Sequence, residues 1–262
     1  MGLLEYRADM TSEPFLTIDE QPISLAQAIR YLQSGGKFEA FLGDIVRQFV
    51  IEQELQARPD LMASQSAIEQ AVIDFRLQRQ LTDPRAFQDW LSANGLTYET
   101  FHAQIASSFR LAALRDGISS AKLPEYFIER KVFLDRVVLS RIILDEQELA
   151  EELKSQIDEG ASFEQLAREY SLTDDRIANG MVGPVSRGTM PDILRAVIDD
   201  AQPGDVVGPL GMENRWGLFR VEEFLPASIE DPQLRQTLQD ELFEQWLADK
   251  MQRLPIKLNI NE

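Results

Sequence analysis

GMVGPVSRGTMPDIL, residues 180 to 194, stands apart from the rest of this chain of 262 residues. Three glycines and two prolines interrupt an apolar run that carries one arginine and one aspartate. Glycine lets the backbone bend where other residues cannot and lets it come close to a ligand. Such a stretch suits a wall folded around a small apolar group, and the flanking segments decide which fold presents it.

On the N-terminal side, RVVLSRIIL (136–144) is dense in β-branched residues and reads as a strand. Asp145 then caps a helix with Glu148 at its third position, Leu149, Leu153 and Ile157 on one face, and Gly160 at its end. Ser162 to Gln165 is a capping box opening a short helix with Phe163, Leu166 and Tyr170. On the C-terminal side come a short helix near Ile193 to Ile198, a turn at Gln202-Pro-Gly-Asp205, the strand DVVGPL and the strand WGLFRVEEF (216–224). The order is strand, two helices, strand, helix, strand, strand.

Farther out, helical pattern prevails up to about residue 134. FLTIDEQPIS (15–24) is extended with a turn before Pro22, and Ser24 is free to cap a helix beginning at the next residue. Phe41, Leu42, Ile45, Val46, Phe49 and Leu55 keep helical spacing and predict a core helix closed by Pro59. Ser66 and Glu69 form a capping box before Ile68, Val72 and Phe75. Asp83-Pro84 starts a helix with Phe87, Trp90 and Leu91 that Asn94-Gly95 stops, and Thr97 caps the next, with Phe101, Ile105 and Phe109. After Pro226 a last helix carries Leu234, Leu238, Leu242, Phe243, Trp246 and Leu247. That face is too apolar to stand alone and predicts docking on the N-terminal helices, with Trp246 as its main anchor.

Composition excludes several chemistries. A net charge of −18 argues against nucleic acid, which is bound through clustered Lys and Arg. With no cysteine there is neither a disulfide framework nor a thiolate nucleophile. His102 is the sole histidine, which excludes HExxH zinc sites and any paired-imidazole mechanism, and its place beside Phe101 and Ile105 predicts a structural role. No cofactor or metal is expected. No run approaches the ~20 apolar residues of a membrane span. The opening residues MGLLEYRADMTSEPF lack the basic and apolar regions of a secretory signal.

Over residues 135–226 the chain resembles the parvulin family of peptidyl-prolyl cis-trans isomerases. The resemblance is carried by SRIIL (140–144), GASFEQLAREYS (160–171), NGMVGPVSRGTM (179–190), QPGDVVGPL (202–210) and WGLFRVEE (216–223). The flanks resemble the SurA type of parvulin chaperone, with TIDEQPI as the opening segment of its helical domain. The implied fold is α+β: a helical domain over 1–134, a parvulin domain with a four-stranded sheet flanked by helices over 135–226, and a helix within 227–262 docking on the first domain. By match to the motif, Val182, Val185, Met190 and Leu194 line a proline pocket, with Arg187 and Gly188 in its turn. The two histidines usual in the first and last strands fall on Arg141 and Gly217, and the family's Cys or Asp falls on Thr173 or Asp174.

An isomerase needs no nucleophile, since its task is to lower a barrier of ~18–20 kcal/mol to rotation about an Xaa-Pro amide. A dry pocket for the ring and a donor to the twisted amide suffice, and the resemblance implies Arg141 with Asp174 or Thr173 as that polar group. Two functions are thus expected: an isomerase of weakened catalysis, or an inactive SurA-like chaperone that holds peptide in the parvulin fold. Activity on a Xaa-Pro peptide separates them. A third, a plain docking scaffold, has neither heptads nor a low-complexity tail in its favour. The implied partners are unfolded or extended polypeptides and Xaa-Pro segments. For compartment the alternatives are a leader removed from the natural chain or a cytoplasmic relative acting on clients before export. Met1 as a start favours the cytoplasmic one.

Overall fold

The computed structural model describes residues 14–258, so most of MGLLEYRADMTSEPF, and with it the reading on a secretory signal, lies outside the described residues. The chain divides into two compact units. One holds the described residues up to Ser119 together with those from Asp240 onward, and the other is Ser120–Gln239.

The first unit opens with a two-stranded hairpin, β1 (Leu16–Ile18) and β2 (Gln21–Ile23). Helices α1 (Leu25–Ser34), α2 (Phe38–Ala57), α3 (Gln65–Gln78), α4 (Pro84–Ala93) and α5 (Tyr98–Ser119) come next. Local chemistry sets the ends. The Ser24 hydroxyl accepts from the backbone N–H of Gln27, and Asp83 caps α4 through the N–H groups of Arg85 and Ala86 with Pro84 in the first turn. The cap of α3 is Ser64, not Ser66: Ser64 is extended and accepts from the N–H of Ala67, whereas Ser66 already lies within the helix.

Two cores stabilise this unit. Phe87, Leu91, Phe101 and Val72 are buried together with Phe75 and Trp90 packed against them, and Phe75, Trp90 and Phe101 meet edge-on or tilted with ring centroids 4.9 to 5.9 Å apart. Val50, Ile51 and Leu114 bury against Phe243 and Leu247 of the last helix, α10 (Pro232–Gln252). Arg47–Glu244 at 2.5 Å and Lys250–Glu54 at 2.7 Å flank that seam. The expected core helix, α2, is buried only at Val50 and Ile51, while Phe41, Ile45 and Phe49 are exposed. Periodicity shows that a helix has an apolar face but not whether another element covers it.

The second unit begins with α6 (Leu123–Leu134). Next come β3 (Arg136–Leu144), α7 (Gln147–Asp158), α8 (Phe163–Tyr170), β4 (Met181–Ser186), α9 (Asp192–Asp199), β5 (Val206–Met212) and β6 (Arg215–Leu225). The strands form one antiparallel sheet in the order β4-β3-β6-β5. Period-two alternation splits the central strands between two faces. Ile142, Leu144 and Leu218 bury against Leu153, Phe163 and Leu166 of α7 and α8, and Val137, Leu139, Ile143, Phe219 and Val221 bury with Met190, Leu194 and Ile198. Glu146, rather than Asp145, occupies the cap position of α7.

On the α8 face, Arg220 lies over the Phe163 ring and reaches Glu164 at 2.8 Å and Glu222 at 2.9 Å. The hydrogen bond from Arg220, helped by the Ser162 hydroxyl, draws the Glu164 carboxyl down to about 2 from its ordinary 4.5. A carboxyl depressed in the folded state stabilises above its unfolded pKa, and that contribution is lost as pH falls toward the folded one. Urea denaturation of wild type against Glu164→Gln should therefore show a stability difference that is constant above about pH 5 and gone by about pH 2. A difference that does not change over this window would show that the carboxylate contributes nothing through its charge.

Candidate active site

A cleft of about 230 Å³ opens on the α9 face of the sheet. Its floor is Leu139 of β3 and Phe219 of β6, with Met212 of β5 beside them. Val182 and Val185 of β4 form one wall, and Thr189, Met190, Pro191 and Leu194 form the other. Met190 and Leu194 are buried in the same core as Phe219, whereas Val182 is exposed at the rim. A space below the ~300 Å³ of typical small-molecule pockets suits one side chain and its adjoining amides.

Arg141 is the charged group of this lining. Its Nε donates to Asp175 Oδ2 at 2.7 Å, and the other oxygen of Asp175 accepts from the Thr173 hydroxyl at 2.6 Å. Thr173 Oγ1 lies 3.1 Å from Ser171 Oγ, which accepts from the backbone N–H of Ile143 on β3. A chain of hydrogen bonds thus fixes the guanidinium from the loop after α8. The backbone N–H of Arg141 donates to Gly180 O at 2.8 Å. Gly180 has φ +81°, and a Cβ there would collide with the Arg141 carbonyl oxygen, so only glycine fits against β3 at this point.

The turn carrying Met190 is held from behind. Arg187 donates to Asp199 of α9 at 2.5 Å and to Asp135 at 3.4 Å, and its backbone N–H reaches the Asp135 carbonyl. Asp135 also takes hydrogen bonds from Lys131 and from the backbone N–H of Ala227. Burial pushes the Asp135 carboxyl up, but these donors and the two cations outweigh it and hold the group below its ordinary value. Gly188 leaves room for the Phe133 ring, into which a Cβ at that position would project. These contacts place α6 with the sheet unit, although its pattern continues that of the preceding helices.

Of the residues expected at the site, Arg141, Val182, Val185, Met190 and Leu194 line the cleft together. Arg187 and Gly188 support the turn from outside it. Thr173 is half-buried in the network behind Arg141, and Asp174 is exposed and does not line the cleft, its neighbour Asp175 making the contact. Arg141 and Gly217 do not face each other: Arg141 pairs with Phe219, and Gly217 with Ile143. A Cβ at residue 217 would come within 2.6 Å of the Phe219 ring and 2.8 Å of Met212 Cε, so these side chains take the space a longer residue would need. Leu139, Phe219 and Met212 are additions that the sequence motif does not name, and alternation on β3 and β6 is the signal that could have found the first two. His102 lies in the helical unit, 3.4 Å from Glu69 and beside Tyr98.

Comparison with known proteins agrees with this geometry. The family model described as Rotamase, PPIC-type PPIase domain, matches residues 144–223. Foldase protein PrsA 2 of Listeria innocua is 23% identical over 172 residues, covering 64% of this chain and 58% of that protein. Chaperone SurA of Sodalis glossinidius is 24% identical over 179 residues, covering 60% and 41%. The chain thus spans about half the length of these relatives. A crystal structure of PrsA from Bacillus cereus aligns over 94% of both chains at 15% identity with a TM-score of 0.46. Residues 144–223, with their four-stranded sheet and apolar cleft, are a PPIC-type peptidyl-prolyl isomerase domain, a parvulin, carried by a chain with relatives among the PrsA foldases and SurA chaperones.

Proposed function

We propose that this chain is a peptidyl-prolyl cis-trans isomerase that serves as a folding helper for unfolded or extended polypeptides containing Xaa-Pro. The observation that carries the reading is the apolar cleft with one anchored guanidinium at its edge. The proline ring rests on Met190, Leu194 and Phe219. A planar amide is stabilised by charge-separated resonance that water supports, and dry apolar walls weaken that support. As the amide twists, conjugation is lost and electron density returns to the prolyl nitrogen. The terminal N–H groups of Arg141 supply a donor to the amide, and Asp175 and Thr173 hold that donor in place so that little reorganisation accompanies the step.

A second reading, peptide holding without turnover, is favoured by a separate groove in the helical unit. That groove, about 410 Å³, is lined by Phe15, Leu25, Tyr31 and Phe41 among others, all four exposed. Exchange NMR on unphosphorylated Xaa-Pro peptides separates the two readings. Wild type is expected to accelerate interconversion, and Val182→Asp, a change at the exposed rim, to lower that acceleration at least about tenfold. Peptide bound without acceleration would leave the holding reading. Both readings are independent of compartment. Among the described residues no helix is long and apolar enough to cross a membrane, and the cytoplasmic placement draws no support from the relatives.

A further inference from the structure

We propose that the cleft selects prolines preceded by an acidic residue, with Arg141 as the specificity-determining group; this rests on the proline-binding cleft of the isomerase reading. All other residues lining the cleft are uncharged, and Thr189 is the sole polar one among them. Arg141 gives its Nε to Asp175, and among the described residues its two terminal nitrogens have no acceptor. With 36% of its side chain exposed, the outer edge of the guanidinium is open to a ligand. Asp175 does not compete for that edge, since one of its oxygens faces the Arg141 Nε and the other accepts from Thr173.

The geometry favours a carboxylate. Two adjacent terminal N–H groups form the planar fork that matches a carboxylate bidentately. The apolar walls lower the local dielectric, which strengthens a charged hydrogen bond formed there. A proline seated on Met190 and Phe219 leaves its preceding residue as the neighbour of Arg141 within the same small cleft. A phosphate is a poorer fit, since phosphate sites commonly gather several cations. The other cations of this unit near the loop are engaged: Arg187 by Asp135 and Asp199, Arg168 by Asn179, and Arg220 by Glu164 and Glu222. The net charge of −18 repels an acidic peptide at long range, so the selection acts through contact and persists when salt shortens the screening length to about 8 Å.

The test is a matched peptide set, Glu-Pro, Gln-Pro, Leu-Pro and phosphoserine-Pro, read by both dissociation constant and exchange rate at physiological salt. Wild type is expected to prefer Glu-Pro over Gln-Pro by about tenfold. Arg141→Met brings that ratio to about one, and Arg141→Lys, which keeps the charge and loses the fork, falls between. Because the readout is a ratio, a fall in absolute rate in these variants does not affect it. Acceleration without a Glu preference, or a preference that survives in Arg141→Met, overturns the inference and leaves the isomerase reading standing. A Glu preference in binding with no acceleration of any peptide supports the inference and overturns the isomerase reading. A phosphoserine preference well above that for Glu overturns the carboxylate assignment.

Discussion

Met190→Asp is expected to abolish peptide binding at the cleft. Met190 is only 6% exposed and packs in one core with Leu194, Ile198 and Phe219. An ionised carboxylate in such a place costs several kcal/mol unless it neutralises or finds a cation, and the cation at hand is Arg141, the group proposed to face the substrate. Either outcome removes the site: an apolar seat for proline is lost, or its polar partner is occupied. Met190→Leu, which nearly conserves volume and apolarity, is expected to keep binding to within about 1.5 kcal/mol. Titration of a labelled Xaa-Pro peptide, with circular dichroism as the check on folding, reads both variants. Wild-type affinity in a folded Met190→Asp protein would mean that proline is not bound here.

The second large effect concerns the helical unit. Phe243→Ala is expected to destabilise it by ~3–5 kcal/mol, the usual cost of deleting a buried phenylalanine. Phe243 is 1% exposed and lies with Val50, Ile51, Leu114 and Leu247. Trp246, the anchor expected from the sequence, is only partly buried and stacks on Phe243 at 5.5 Å, so its truncation costs less. Hydrogen exchange resolves the unit from its neighbour, since amides of α2 and α5 should lose protection while those of β3 and β6 keep theirs. Unchanged protection in α2 and α5 would show that α10 does not complete that core.

Much of this was legible in the sequence because it is written in local chemistry. The strand Arg136–Leu144, the starts at Ser24, Asp83 and Ser162, and five residues of the cleft come from periodicity, capping and motif. What escaped depends on register. The ladder shifts between Val138 and Leu139 against β6 and between Leu139 and Ser140 against β4. Each bulge changes which residues face each other across the strands, so the partner of Arg141 could not be counted from the strand ends. The 3₁₀ turn Asp174–Ala178 sets which of two adjacent aspartates meets Arg141, and composition does not distinguish them. The exposure of α2 is a tertiary fact, visible only once the neighbouring elements are placed.

The seam between α2 and α10 also imposes an order on synthesis. Val50 and Leu114 leave the ribosome long before Phe243 and Leu247, and the whole sheet unit is made in between. At ~5–20 residues per second, the early helices wait many seconds for the side chains that close their core. The sheet unit, whose strands all lie within one continuous segment, has no such wait. The nascent chain therefore carries a complete isomerase domain while its own N-terminal part is still an unfinished substrate.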